Sequence, residues 1–556
     1  MRFTRDQEEE MQEQIGEDIR DILDGKSVRS SNRQYSGRKA VRSSGGHDPE
    51  GPDNRESFPE MREGATRNPR RNRGNTGRDG DKRGLLKKQT RVPFLFVSYA
   101  FVAIFVALIV YIGYFNVRLR DDILNSPYNR RQNDNAVYVV RGEILAKDGT
   151  VLAETELDDD GVERRFYPEE NKYAHVVGFT ANGKSGLESL LNYDLLAAHN
   201  NILDRVINEF QGEKNPGDNV VTTLDTELQD VAYEALGDWD GAAVVLEPDT
   251  GNVLAMVSKP DFDPNTIAEE WEELVADDSN SQLVNRATQG KYPPGSTFKI
   301  VTALAYYRAE GNIEDFFYDC DGSFTVDDNN TVHCFNSYAH GEEDLTEAFA
   351  NSCNSAFSEI GLEVGARALG DTAEDLLFQE KLPCDIAYSR SAFTLSSGAG
   401  DASVVQTAFG QGDTLVSPYH LALIASAIAN DGVLMKTNFV DHIESDTGAV
   451  VKETKPSQYK TLMTEDEADV LTELMKAVVD EGTASALQGL DYSVACKTGS
   501  AEFEMSDGEL GTHSWFVGFS DPDDPDIVVA VITENGGTGS STSLPIAKQI
   551  FDAYYD

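Results

Sequence analysis

The chain has 556 residues with 48 Lys/Arg and 96 Asp/Glu, a net charge of −48, and its hydrophobic share of 40 % and charged share of 26 % are those of globular chains. That length allows about two to four domains around at least one sizeable core. The acidic balance argues against nucleic acid as the main partner, because a phosphate backbone would be repelled, and five Cys are too few for a disulfide scaffold.

The average hides a division. Residues 1–92 hold 21 Lys/Arg and 17 Asp/Glu, a net of +4, whereas the remainder holds 27 and 79, a net of −52. Residues 1–91 are rich in Arg, Ser, Gly, Asn, Asp and Glu and poor in apolar residues, which predicts a mostly disordered tail. Within it Met11, Ile15, Ile19, Ile22 and Leu23 would line one face of a short acidic helix. Such a helix reads either as a solvated, marginal one or as a docking element for a cytoplasmic partner.

Residues 92–115 then run for 24 positions without a charge. As a helix they would be roughly 36 Å long, enough to cross a hydrocarbon core of about 30 Å with some tilt. A buried core helix is the competing reading, but runs this long and uncharged seldom occur in soluble domains. Lys82, Arg83, Lys87, Lys88 and Arg91 precede the run, while Arg118 and Arg120 beyond it are offset by Asp121 and Asp122. The positive-inside rule puts the N-terminus in the cytoplasm and the bulk of the chain outside. The run exceeds the apolar core of a cleaved signal peptide and follows a long polar tail, so a single-pass signal-anchor is expected.

Residues 116–219 are mixed. Residues 136–145 read as a strand, Lys147-Asp148-Gly149 as a turn and residues 150–154 as a second strand. Residues 187–210 read as a helix with breaks. No metal spacing and no nucleophile–base pair occurs here, so this is expected to be a non-catalytic pedestal, with Glu188 as a hydrogen-bonding group at a domain junction. From residue 220 the elements sharpen. A helix is expected at 225–236, and strands at 241–246 and 252–258 are joined by Glu247-Pro248-Asp249-Thr250-Gly251, a hairpin signal. A mostly helical middle follows, then strand-like runs at 493–501, 514–519 and 527–533 and a last helix at 541–555. Two early strands, three late ones and helices between predict an α+β domain: one five-stranded antiparallel sheet, built from both ends of the domain and covered by helices. Four segments are therefore expected, 1–91, 92–115, 116–219 and 220–556.

Three short motifs carry chemistry. Ser-x-x-Lys occurs at Ser36/Lys39, Ser296/Lys299 and Ser457/Lys460, but only Ser296 follows a Pro-Pro-Gly turn and precedes an apolar helical run. That puts Ser296 in the first turn of a buried helix, where the N-terminus favours negative charge, with Lys299 one turn on along the same face. A desolvated lysine can take the serine proton. The second motif is Ser352-Cys353-Asn354, a hydroxyl and an amide able to relay a proton and hold a substrate amide. The third is Lys497-Thr498-Gly499-Ser500 on the first late strand. There Lys497 supplies positive charge, the Thr498 hydroxyl suits a carboxylate, and Gly499 lets a substrate backbone lie close. The backbone N–H groups of Ser296 and Ser500 would make an oxyanion hole.

The ordered set Ser-x-x-Lys, Ser-x-Asn and Lys-Thr-Gly is that of class A β-lactamases and penicillin-binding proteins. The middle motif is SCN in place of SDN, which slightly favours the transpeptidases. Further support comes from Arg141-Gly142-Glu143-Ile144, Gly186-Leu187-Glu188, Gly410-Gln411-Gly412 and Trp515-Phe516-Val517-Gly518. From about residue 136 onward the chain resembles a class B penicillin-binding protein, a monofunctional peptidoglycan D,D-transpeptidase of the bacterial plasma membrane. The region before the transpeptidase part is short for a glycosyltransferase domain, and no E-D-x-x-F-like run occurs in it, so a bifunctional protein is disfavoured. The resemblance implies that Ser296 attacks the penultimate D-Ala carbonyl of a stem pentapeptide and that Lys299 acts as base. Ser352 and Asn354 would position the peptide and pass the proton to the leaving amine, and Lys497 and Thr498 would bind the terminal carboxylate. β-Lactams would acylate Ser296. The partners it implies are stem peptides, the lipid-linked precursor and a polytopic glycosyltransferase of the shape, elongation, division and sporulation class. Two other readings stay open: a D,D-carboxypeptidase or β-lactamase-like hydrolase, and a β-lactam sensor or silent scaffold.

The cysteines are ambiguous. Cys320 and Cys334, with 13 residues between them, either form an extracellular disulfide or stay free. Cys353 and Cys496 read as buried structural thiols, and Cys384 lies far from any motif. His333, His340 and His513 show no metal-ligand spacing, so neither a metal nor a cofactor is expected.

Overall fold

The computed structural model describes residues 82–115, 136–158, 162–276, 281–504 and 508–556. The apolar pattern of Met11 to Leu23 lies outside the described residues. Helix α1 (Lys82–Tyr114) contains a 21-residue apolar stretch, Phe94–Tyr114, none of it buried inside the protein. Phe94, Phe96, Phe101, Phe105 and Ile109 project around it with no polar face. Such a helix is long and apolar enough to cross a membrane, and its backbone groups are satisfied internally, as a lipid environment requires.

The expected strand at 136–145 is broken in two. Residues 136–138 turn, Val139–Val140 pairs in parallel with Asn215–Pro216, and Ile144–Leu145 joins a different sheet. The break falls at Arg141 and Gly142 for steric and electrostatic reasons. Gly142 presses on the backbone of Asp218, where a Cβ would lie 1.9 Å from the carbonyl oxygen, and Arg141 turns to Glu188. The alternation of residues was a sound guide to extended backbone but not to continuous pairing.

The pedestal sheet has six strands in the order Val450–Glu453, Val440–Glu444, Asn219–Thr222, Ile144–Leu145, Val151–Leu157 and Glu163–Phe166. Its two central strands are parallel and the other pairs antiparallel. Asn219–Thr222 straddles the expected boundary at 219/220, and a hairpin from far later in the chain completes the sheet. Glu188, on the short helix Gly186–Leu190, is fully buried. Its carboxylate accepts from Nε of Arg141 and Nε of Arg165, each at 2.6 Å, and Arg141 also donates to Asn192 Oδ1. Burial alone would raise this carboxyl, but the two guanidiniums override it and hold Glu188 below the ordinary glutamate value.

Helix α2 (Thr226–Leu236) is capped by the Asp225 carboxylate, which accepts from the backbone N–H of Glu227 and Leu228. The larger sheet comprises β1 (Gly241–Leu246), β2 (Val253–Lys259), β3 (Val494–Glu504), β4 (Leu510–Ser520) and β5 (Val528–Thr533). Their order is β3-β4-β5-β1-β2 and every pair is antiparallel, as expected. Strands β1 and β5 are buried at every residue, which is why they read as unbroken apolar runs rather than as alternation. Helices α3 (Lys299–Glu310) and α4 (Asn354–Asp375) pack on each other. Helix α5 (Pro418–Ala429), wholly buried, packs on β1, β4 and β5. Helix α6 (Glu465–Asp480) packs on β3, and the last helix, α7 (Ser543–Tyr555), packs on α2, β4 and β5.

Candidate active site

The Ser296 motif sits where two elements meet. Gly295–Phe298 forms one tight turn that leads directly into α3, and this turn packs on edge strand β3. Close backbone contact holds it there. Gly295 has φ +54° and abuts the Ser500 carbonyl, its N–H bonds to Gly410 O at 2.9 Å, and a Cβ on Gly410 would lie 1.8 Å from Gly295 O. The Gly410-Gln411-Gly412 segment is thus a support for the serine turn. Trp515 on β4 clamps the same turn by donating from Nε1 to Pro293 O at 2.9 Å.

Lys299 is fully buried at the start of α3. Its Nζ donates to Ser352 O at 2.5 Å, Ser352 Oγ at 3.2 Å and Asn354 Oδ1 at 2.9 Å. Lys497, equally buried on β3, donates to the same Ser352 Oγ at 3.0 Å and to Thr498 O at 3.0 Å. Desolvation, working against the raising effect of Cys353, Cys334 and Glu343, pulls the Lys299 ammonium down to about 8. Burial, and then the charge of Lys299, push Lys497 well below the usual lysine range. Burial therefore makes Lys299 a lysine that releases its proton near neutrality.

Ser352 adopts a left-handed backbone, φ +58°, immediately before α4. Asn354 donates from Nδ2 to His333 O at 3.0 Å. Thr498 is 5 % exposed, and its hydroxyl pairs with that of Thr483 at 2.6 Å. Thr483 was not singled out from sequence; a lone threonine after α6 carries no local signal. Gly499 packs against Thr297 and Trp515, with a Cβ 3.0 and 3.2 Å from them. Ser500 Oγ accepts from Gly539 N–H at 3.3 Å. Three segments far apart in sequence are thus gathered around Ser352.

The cysteines answer a question the sequence left open. Cys320 and Cys334 are free, their Sγ atoms 3.7 Å apart, too far for a bond. Cys353 Sγ lies 3.8 Å from Cys334 Sγ, and His340 Nδ1 lies 3.4 Å from Cys320 Sγ. Spacing argued against metal ligands, yet the fold gathers three thiols and an imidazole within 4.8 Å of one another. Cys496 is a separate buried thiol, pushed up to about 12 by desolvation.

Two buried lysines on one serine hydroxyl, beside a second serine at a helix start, define the acyl-serine, penicillin-interacting class of fold. Residues 241–553 match the penicillin binding protein transpeptidase domain, and residues 141–220 match the dimerisation domain of penicillin binding protein A. The chain belongs to the penicillin-binding protein transpeptidase family. It is 32 % identical over 481 residues to the peptidoglycan D,D-transpeptidase PbpA of Mycolicibacterium smegmatis, covering 81 % of this chain and 96 % of that one. It is 29 % identical to stage V sporulation protein D of Bacillus subtilis, covering 69 % and 63 %. Among solved structures, penicillin-binding protein A from M. tuberculosis as its ceftriaxone acyl-enzyme complex superposes with a TM-score of 0.69 at 29 % identity, covering 76 % of this chain and all of that one.

Proposed function

We propose that this protein is a peptidoglycan cross-linking D,D-transpeptidase that works through an acyl-serine intermediate and is acylated by β-lactams. The observation that carries this reading is the convergence of Lys299, Asn354 and Lys497 on Ser352, next to the turn that presents Ser296. Ser296 Oγ attacks the penultimate D-Ala carbonyl of a stem pentapeptide while neutral Lys299 accepts its proton. The carbonyl oxygen takes negative charge between the backbone N–H groups of Ser296 and Ser500, a role supported by the packing of Gly295 on the Ser500 carbonyl. Ser352, bonded to both lysines, passes a proton to the leaving D-Ala amine, and Asn354 holds the peptide. Lys497 supplies the positive field for the terminal carboxylate, Thr498 and Ser500 face it with hydroxyls, and Gly499 lets the peptide lie against β3. An amine of a neighbouring stem peptide then resolves the acyl-enzyme.

The domain division at 91, 115 and 219 and a single-pass anchor with a cytoplasmic N-terminus complete the reading. The anchor and the divisions at 91 and 115 are supported by the apolar stretch in α1 and the basic residues before it, and the division near 219 by the separate family matches to 141–220 and 241–553. Stem peptides, lipid-linked precursor and a polytopic glycosyltransferase are the partners proposed. Labelling with fluorescent penicillin tests the nucleophile: wild type labels, Ser296→Ala does not, and label surviving the substitution refutes the assignment. With lipid-linked precursor and an acceptor amine, cross-linked peptide should form. Rapid penicillin turnover without cross-links would make the protein a hydrolase instead.

A further inference from the structure

We infer that Cys320, Cys334, Cys353 and His340 form a structural site for a tetrahedral, thiophilic divalent cation, with zinc as the fitting ion. The geometry is the first argument. In a tetrahedral zinc site, Zn–S bonds of about 2.3 Å and Zn–N bonds of about 2.0–2.1 Å put sulfurs about 3.8 Å apart and sulfur and nitrogen about 3.6 Å apart. Here two of the three sulfur–sulfur separations are 3.7 and 3.8 Å, one of the three sulfur–nitrogen separations is 3.4 Å, and all four ligand atoms lie within 4.8 Å of one another. A disulfide needs about 2.05 Å and joins only two of the three thiols.

The surroundings are the second argument. The three cysteines are 0–3 % exposed. Each of two sulfurs already meets a donor suited to a thiolate: Ala356 N–H points at Cys353 Sγ at 3.4 Å, and Ser355 Oγ lies 3.2 Å from Cys334 Sγ. Glu343, 2 % exposed, keeps one carboxylate oxygen without a hydrogen bond, 3.7 Å from His340 Nδ1. A buried acceptor left unmade is costly, and a divalent cation among these groups offsets that cost. Binding deprotonates the thiols and releases their protons to solvent.

The site adjoins the catalytic turn through Cys353, which lies between Ser352 and Asn354. Its ligands end the strand Phe317–Cys320, follow the strand Asn330–His333, precede the strand Gly341–Asp344 and cap α4. Cys353 is the middle residue of Ser352-Cys353-Asn354, so the ion fastens the left-handed turn at Ser352 to this three-strand neighbourhood. It is a positioning device.

The test uses the full-length chain in detergent, with Zn²⁺ and Co²⁺ as probes. About one zinc per chain is expected by plasma mass spectrometry. Cys320→Ser and Cys334→Ser should lose it and Cys384→Ser should keep it. Cobalt substitution should give thiolate-to-metal absorption and tetrahedral visible bands. A reduced wild-type chain that takes up neither ion, or in which the bands are absent, overturns the inference whether or not the variants fold. A disulfide between two of the three thiols with no uptake after reduction overturns it too. Penicillin labelling of Ser296, read on the same samples, tests the enzymatic reading separately.

Discussion

Lys299 shows how burial sets chemistry at a single residue. A lysine in water keeps its proton at neutral pH, but this one, wholly buried and facing Ser352, Asn354, the second cation Lys497, and the nearby Cys353, Cys334 and Glu343, titrates at about 8. The sign follows directly. A base must be neutral, the neutral fraction grows as pH rises through the pKa, and so acylation should accelerate with pH. We expect the second-order rate of penicillin acylation to fall about tenfold per unit below that value and to level above it. A flat profile from pH 6 to 9 by stopped-flow fluorescence would remove Lys299 as base. Lys299 and Ser296 were legible in the sequence because the motif is local and the Pro-Pro-Gly turn and the apolar run fix its context. Thr483 and the Cys320, Cys334, His340 and Cys353 group were not. Their partners come from separate segments with 13, 5 and 12 residues between successive members of the group, none of the short spacings that mark a metal loop.

At the scale of elements, the pedestal joins a buried apolar core, with Ile144, Leu152, Leu187 and Val220 in it, to a buried charge cluster. Arg141 from the broken strand, Arg165 from Glu163–Phe166 and Glu188 from Gly186–Leu190 meet in that cluster. Glu188 proved to be an internal ion-pair hub of the pedestal. Removing the carboxylate leaves two guanidiniums buried without a counter-charge, which costs about 3–5 kcal/mol. Chemical denaturation of Glu188→Ala, read by a pedestal-specific probe, should register a loss of this size, and a loss below about 1 kcal/mol would sink the argument. The larger sheet was legible almost strand for strand, because β-branched runs bounded by turns need no long-range knowledge. The broken strand at 136–145 was not, since Gly142 yields to Asp218, a contact that no local pattern encodes.

At the scale of the molecule, the net charge of −48 resolves into a mildly basic N-terminal part and a portion of −52 from residue 93 onward that encloses two buried lysines. The longest reach of the fold lies elsewhere, in the hairpin Val440–Glu444 and Val450–Glu453. It pairs Ile443 with Val220 and His442 with Val221, so the pedestal sheet is finished by chain made after most of the catalytic helices. Closing so large a loop is slow relative to local pairing. A fragment of residues 136–224 should keep an open strand edge and exchange the amides of Asn219–Thr222 rapidly, whereas the full chain should protect them, as hydrogen exchange would read. Protection in the fragment would contradict this. The consequence concerns biogenesis. As the chain is made, the segment at 136–222 emerges first yet stays incomplete until residue 453 has followed, so its maturation is timed by the arrival of the transpeptidase domain, and a chain arrested before that point presents an unfinished sheet.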